Sequence, residues 1–281
     1  MADFLADLQR HAFLQYAVIT GLLAAVPCGV IGTYVVTRRI TYIGGAIAHS
    51  VLAGLGAARF CQVVYDWPWL HPLYGAVAAA LASALIIGLV SLYAQQREDT
   101  VIGAVWAIGM AVGILFISRT PGYNEDLMSY LFGNILMVSA DDLYLILGLD
   151  VVVLLFSLLF YNKLLAVCFD EEFARVRGVR VELYYLLLLC LTALTVVLLV
   201  TVVGVVMVIA LLTLPVAVAG HFSNRLWLTM VLSAAFTALF TLSGLALSYG
   251  PDLPSGATTI VLAGGLYLVV AAVDAFRARR G

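Results

Sequence analysis

The chain has 281 residues, 64% of them hydrophobic and 11% charged, with a mean hydropathy of +1.10 and a net charge of −2. Soluble domains carry about 25% charged residues, so this composition excludes a soluble fold and points to a polytopic membrane protein. No excess of positive charge calls for a nucleic-acid partner, and four scattered cysteines (Cys28, Cys61, Cys168, Cys190) without a CxxC pair read as small buried apolar residues.

The N-terminal residues MADFLADLQRHAF carry acids ahead of the first base and no small-residue cleavage site. They are not expected to be a signal peptide, and the first apolar run is expected to stay in the membrane. A spanning helix takes about 20 mostly apolar residues, which predicts spans at 13–36, 43–60, 72–94, 100–118, 140–162, 183–202, 204–220, 227–248 and 257–275. Residues 183–220 form one apolar run of 38 residues, about 57 Å as a single helix and too long for one crossing. A break near Val203-Gly204 is therefore expected, giving nine spans, or eight if one segment crosses only half-way. Pro215 is expected to break the helix near the cytoplasmic end of the seventh span. The expected fold is an all-α, polytopic membrane bundle of eight to nine transmembrane helices, with residues 1–281 as a single embedded domain and membrane lipid around it.

Charge sets the expected orientation. With Arg38 and Arg39 in the cytoplasm, that side also holds Arg97, Lys163, Arg175, Arg177, Arg180, Arg225, Arg277, Arg279 and Arg280, and the outer side holds Arg10, Arg59 and Arg119. Such a bias places the N-terminus outside and the C-terminus inside, which takes an odd number of crossings. In the outer loops, Asp66-Trp67-Pro68-Trp69 reads as an interfacial anchor, and 127–138 is too short to span and reads as an interfacial or half-inserted helix. Glu125 and Asp126 ahead of it could receive a cation or a partner, or simply face water. Pro251 and Pro254 mark a tight turn between the last two spans.

The most distinctive stretch is 41–58, where ten of the fifteen positions from Gly44 to Ala58 are Gly, Ala or Ser. Side chains that small, including Gly44, Gly45, Ser50 and Gly54, let membrane helices approach closely. In their midst stands His49, an ionisable group that must face protein or water at that depth. It reads either as a hydrogen-bonded core residue or as a group on a translocation path. Asp150, in the fifth span, is the only acid placed deep in the bilayer, and it could serve an ion or pair with a neighbouring helix. Glu98 and Asp99 open the fourth span on the cytoplasmic side, as helix N-terminal acids or as part of a gate. His71 and His221 fall at span ends and read as surface residues.

The longest cytoplasmic segment is 163–182. In its core, Asp170 is a good N-cap, Glu171 and Glu172 fill the first turn, Arg175 and Arg177 the last, and Gly178 stands just past the end. Phe169, Phe173 and Val176 recur at helical spacing, beside Ala174. This predicts a short capped helix at about 169–179, lying on lipid or docking a cytoplasmic partner; its mixed charge and two aromatics favour docking.

Several of these segments together resemble the ABC-3 family of transporter permeases, the membrane subunits of bacterial zinc, manganese and iron importers. Arg38-Arg39 followed by the Gly44–Gly54 stretch with His49-Ser50-Val51-Leu52-Ala53-Gly54 is similar to its first signature. Glu98-Asp99-Thr100-Val101-Ile102-Gly103, Leu131-Phe132-Gly133-Asn134-Ile135-Leu136, Phe169 to Val179 and Gly204 to Ala217 resemble later ones, in order. The resemblance implies a homodimer in the bacterial cytoplasmic membrane, two cytoplasmic ATP-binding subunits docked at residues 169–179, an extracytoplasmic metal-binding protein and alternating access. The chain would then be a transport subunit and no enzyme, with no cofactor of its own, a transported divalent metal ion, and ATP on the partner subunit. The absence of a GxxxxGK[ST] loop agrees. One departure stands out. Many family members place an Asp four residues before the histidine, and that position here is Gly45. A lone imidazole holds a divalent ion weakly, which leaves three readings: the ion is passed on with little coordination, another acid such as Asp150 supplies the carboxylate, or the preferred metal differs. Two competing readings are an ion-coupled secondary transporter, which usually shows inverted repeats and several buried charges, and a permease for a larger organic or chelated-metal substrate.

Overall fold

Lipid offers no hydrogen-bond partner, so a crossing segment must satisfy its own backbone, and a helix does so within itself. The computed structural model describes residues 2–94, 97–121, 133, 135, 138–251 and 253–278, and among them it shows helices and no strand. The helices are α1 (Ala2–Arg10), α2 (Ala12–Thr37), α3 (Thr41–Val64), α4 (Pro72–Tyr93), α5 (Glu98–Arg119), α6 (Ala140–Leu159), α7 (Tyr161–Phe169), α8 (Glu171–Val176), α9 (Val181–Val203), α10 (Val205–Gly220), α11 (Leu226–Tyr249) and α12 (Ser255–Ala278).

Eight of these, α2 to α6, α9, α11 and α12, are long and apolar enough to cross a membrane. The ninth expected span, α10, has 16 residues, about 24 Å against a hydrocarbon core of about 30 Å. The break between α9 and α10 falls at Gly204, where φ is +80°. Only glycine takes that conformation without a Cβ clash, so the 38-residue run is cut where the sequence offers a glycine. Pro215 corrects an expectation: α10 runs through it without a break. Proline removes one N–H from the ladder, a loss that packed membrane helices tolerate, and α10 is enclosed by α2, α3, α11 and α12.

Besides α8, two helices lie outside the predicted spans. In α1, Phe4 meets the Tyr249 ring edge-on at 5.6 Å and Asp7 accepts a 3.0 Å hydrogen bond from the Tyr249 hydroxyl. The N-terminus and the end of α11 therefore share one end of the bundle. α7 continues α6 past a bend at Phe160 and buries Leu164 and Val167. Residues 122–132, with Glu125 and Asp126, lie outside the described residues, as do Asn134, Leu136 and Met137; of the expected half-inserted helix only Gly133, Ile135 and Val138 are described.

Two packing groups position the site. α2 lies against α6, α9, α10 and α11, while α3 is held mainly between α4 and α5, with α9 and α10 behind it. Trp67 and Trp69 are exposed and stack at 5.9 Å at the end beyond α3, as an interfacial anchor would.

Candidate functional site

The small residues of α3 allow backbone-to-backbone contact. A Cβ built on Gly54 would overlap the Gly75 carbonyl oxygen, and one on Gly75 the Gly54 carbonyl oxygen. On the other side, a Cβ on Gly109 would stand 2.7 Å from the Ser50 Cα, and one on Gly113 2.7 Å from the Leu52 backbone. Ser50 donates to the Ala46 carbonyl at 2.8 Å and lies 3.3 Å from the Val105 carbonyl of α5. Of the expected packing residues, Gly45, Ser50 and Gly54 stand at close approaches. Gly44 does not, because a Cβ there would meet only Leu212 Cδ1 at 3.8 Å.

His49 is half-buried on the α3 face towards α5, and its ring stacks on Trp106 at 4.5 Å between centroids and 22° between planes. The same indole reaches over Gly45, where a Cβ would lie 2.8 Å from Trp106 Cζ3, 3.2 Å from Cη2 and 3.4 Å from Ile209 Cδ1. The side-chain space one turn before His49 is thus filled by an aromatic ring from another helix. Sequence reasoning missed Trp106. It sits in an apolar run with no polar neighbour, and only the rotational register of α5 on α3 reveals the contact.

Asp150 is 3% exposed on α6 and lies within electrostatic reach of Cys28 on α2. Neither carboxyl oxygen has a hydrogen-bond partner among the described residues, a setting in which a charge is costly. The structure places it in the α2–α6 interface, whereas the neighbours of His49 and Gly45 come from α5 and α10. Among the described residues no three His, Cys, Asp or Glu side chains gather to hold an ion. A cleft of about 630 Å³ opens between α3, α4 and α5 next to the site, lined by Ser50, Ala53, Ser83, Thr100, Val105 and Gly109 among others. Glu98 and Asp99 lie in the first turn of α5, with Arg97 in the N-cap position and no side-chain cap.

The opposite feature of the molecule is the polar cluster at the start of α3. Arg38 donates to the Val167 carbonyl at 3.0 Å, pairs with Glu171 and lies over the Tyr185 ring at 5.4 Å. It joins the α2–α3 turn to α7, to the first turn of α8 and to α9. Burial pushes the nearby Cys168 thiol up to about 12, with Arg38 pulling the other way. In α8 the Asp170 carboxylate accepts from the Phe173 N–H at 2.9 Å, and Gly178 closes the end at φ +77° with its N–H on the Arg175 carbonyl at 2.9 Å. The caps read from the sequence are therefore formed. Ala174 is buried, while Phe169, Phe173 and Val176 are exposed at 66%, 52% and 87%. Beside them runs a cleft of about 550 Å³ lined by Tyr161, Asn162, Leu165 and Asn224 among others. His221, also at this end, pairs with Asp274 at 3.0 Å, and His71 accepts from the Leu73 N–H as the N-cap of α4.

Known proteins are similar to this chain along nearly its whole length. A Chlamydia pneumoniae protein named as a probable metal transport system membrane protein is 40% identical over 264 residues, 92% of this chain and 90% of that one. The manganese transport system membrane protein MntC of Halalkalibacterium halodurans is 35% identical over 264 residues, 94% of this chain and 88% of its own length. Among solved structures, PsaBC from Streptococcus pneumoniae in complex with Fab superposes with a TM-score of 0.84 at 30% identity, over 95% of this chain and 94% of that one. The model of the ABC 3 transport family matches residues 10–274. The chain belongs to the ABC 3 transport family.

Proposed function

We propose that this chain is the membrane permease subunit of an ATP-driven importer of divalent transition-metal ions, with manganese as its first substrate and His49 on the ion path. The observation that carries the reading is end-to-end similarity to a protein named for manganese transport, with an imidazole on a half-buried face of the central helix. The preference for manganese over zinc rests on the relative's name, because an imidazole also suits zinc and no cluster of metal-binding side chains among the described residues adds a thiolate. Asp150 enters this reading as a separate deep group in the α2–α6 interface, and not as a replacement for a carboxylate at position 45.

Residues 1–281 act as one permease domain, with the N-terminus outside and the C-terminus in the cytoplasm of a bacterium, an orientation in which the 16-residue α10 makes the ninth crossing. Two copies pair, an external binding protein delivers the ion, and two ATP-binding subunits dock on α8 through its exposed Phe173, Phe169 at the end of α7 and the adjoining cleft. ATP binding and hydrolysis on those subunits drive alternating access. Motion of α8 is passed by Glu171 and Arg38 to the first turn of α3, and along α3 to His49, about 12 Å further on. A lone imidazole suits a transporter, which must release its ion as well as bind it.

The test is manganese uptake by the complex reconstituted in liposomes, wild type against His49→Ala. Uptake is expected to vanish while the variant still inserts and assembles. Wild-type uptake by His49→Ala would remove His49 from the path.

A further inference from the structure

The stack between Trp106 and His49 is held from behind. Gly109 brings α5 against the Ser50 backbone, and Ser50 reaches the Val105 carbonyl on the residue before Trp106. These contacts fix the start of the indole side chain relative to α3. Its ring then covers one face of His49 and the space beside Gly45. We infer that Trp106 is a specificity-determining residue of the transporter, walling off one side of His49 so that an ion meets the imidazole without oxygen ligands from that side. The inference rests on His49 being on the ion path.

The chemistry follows from ligand preference. Calcium and magnesium need six or more oxygen ligands, and magnesium gives up its waters reluctantly. Manganese also takes oxygen ligands, yet as a first-row transition ion it gains more from an imidazole nitrogen than calcium or magnesium does, and iron gains more again. An aromatic wall excludes water and carboxylate from the volume it fills, so it penalises the hard ions more than the transition ions. Gly45 belongs to the same device, because any side chain there displaces the ring.

The experiment is manganese uptake by the reconstituted complex with calcium or magnesium as competitor, for the wild type, Trp106→Ala, Trp106→Phe, Gly45→Ala and the double variant Gly45→Ala/Trp106→Phe. Trp106→Ala is expected to become at least about tenfold more sensitive to calcium, the scale on which partners of a metal-binding histidine act. Trp106→Phe, which keeps a ring, is expected to stay near the wild type. Gly45→Ala, whose Cβ falls 2.8 Å from the indole Cζ3, is expected to behave like Trp106→Ala, and the smaller ring of the double variant to restore discrimination. If Trp106→Ala does not assemble, the Gly45→Ala pair carries the test alone. Unchanged competition in the assembled variants, with uptake still lost in His49→Ala, would overturn the role of Trp106 and leave His49 standing. Full uptake by His49→Ala would remove the basis of both.

Discussion

The two ends of one helix are held in opposite ways. In mid-membrane, α3 is fixed by atoms that are absent: the missing side chains of Gly54 and Gly75, and of Gly109 and Gly113, let backbones touch. At its start, α3 is fixed by atoms that are present: the Arg38 guanidinium on a carbonyl, a carboxylate and an aromatic face at once. The first kind of contact resists change, since any added atom collides. The second can be made and broken without repacking, which suits the end where a partner is expected to push. His49 lies between them, beside the rigid part and about 12 Å along the helix from the movable one.

The largest expected effect comes from breaking the seam. Gly54→Ala places a Cβ on the Gly75 carbonyl oxygen, and forcing those backbones apart costs about 1–3 kcal/mol. Gly54→Leu is expected to abolish assembly, with folded yield by detergent size exclusion as the measure. A wild-type yield for Gly54→Leu would show that α4 is free to move away and that the seam is not rigid.

Breaking the other end is expected to spare folding and change coupling. Arg38→Ala and Glu171→Gln should each insert normally and lower binding-protein-stimulated ATP hydrolysis by roughly fivefold, the low end of measured coupling energies. The exchanged pair Arg38→Glu/Glu171→Arg should recover part of it. The pair is partly solvated, so its contribution to stability is small, and equal loss of fold and coupling would place Arg38 with the rigid seam instead. A milder break is Asp170→Ala, which removes the cap of α8 at a cost of about 1 kcal/mol. It should weaken ATP-binding-subunit association in pull-down without touching the seam. Asp150→Asn sharpens the comparison differently: it is expected to leave the ion-competition profile set by His49 and Trp106 unchanged, because it sits in another interface.

The contrast also explains what was readable beforehand. Apolar runs gave the eight spanning helices and the shorter α10 because lipid enforces self-satisfied helices; length called for a break in the 38-residue run, and Gly204 marked its place. The α8 caps were readable because capping is a local matter of four or five residues. Trp106 was not, because its meaning depends on how two helices far apart in sequence are rotated against each other. The placement of Asp150 against α2 had the same obstacle. α1 escaped because its apolar positions are too few to mark a span, and Pro215 misled because local propensity was overridden by enclosure on four sides.

The smallest expected effect separates two glycines that look alike in the sequence. Gly44 and Gly54 both lie in the small-residue stretch, yet a Cβ on Gly44 would find only Leu212 Cδ1, at 3.8 Å. That is an ordinary van der Waals contact. Glycine inside a helix is less stable than alanine by about 0.5–1 kcal/mol, through the freedom it loses on folding. With no clash to offset that gain, Gly44→Ala should raise the thermal midpoint in detergent slightly and leave uptake intact, where Gly54→Ala lowers it. A loss of stability in Gly44→Ala would mean that the rigid seam extends a further turn, past His49 and towards the Arg38 end, leaving less of α3 able to respond to α8.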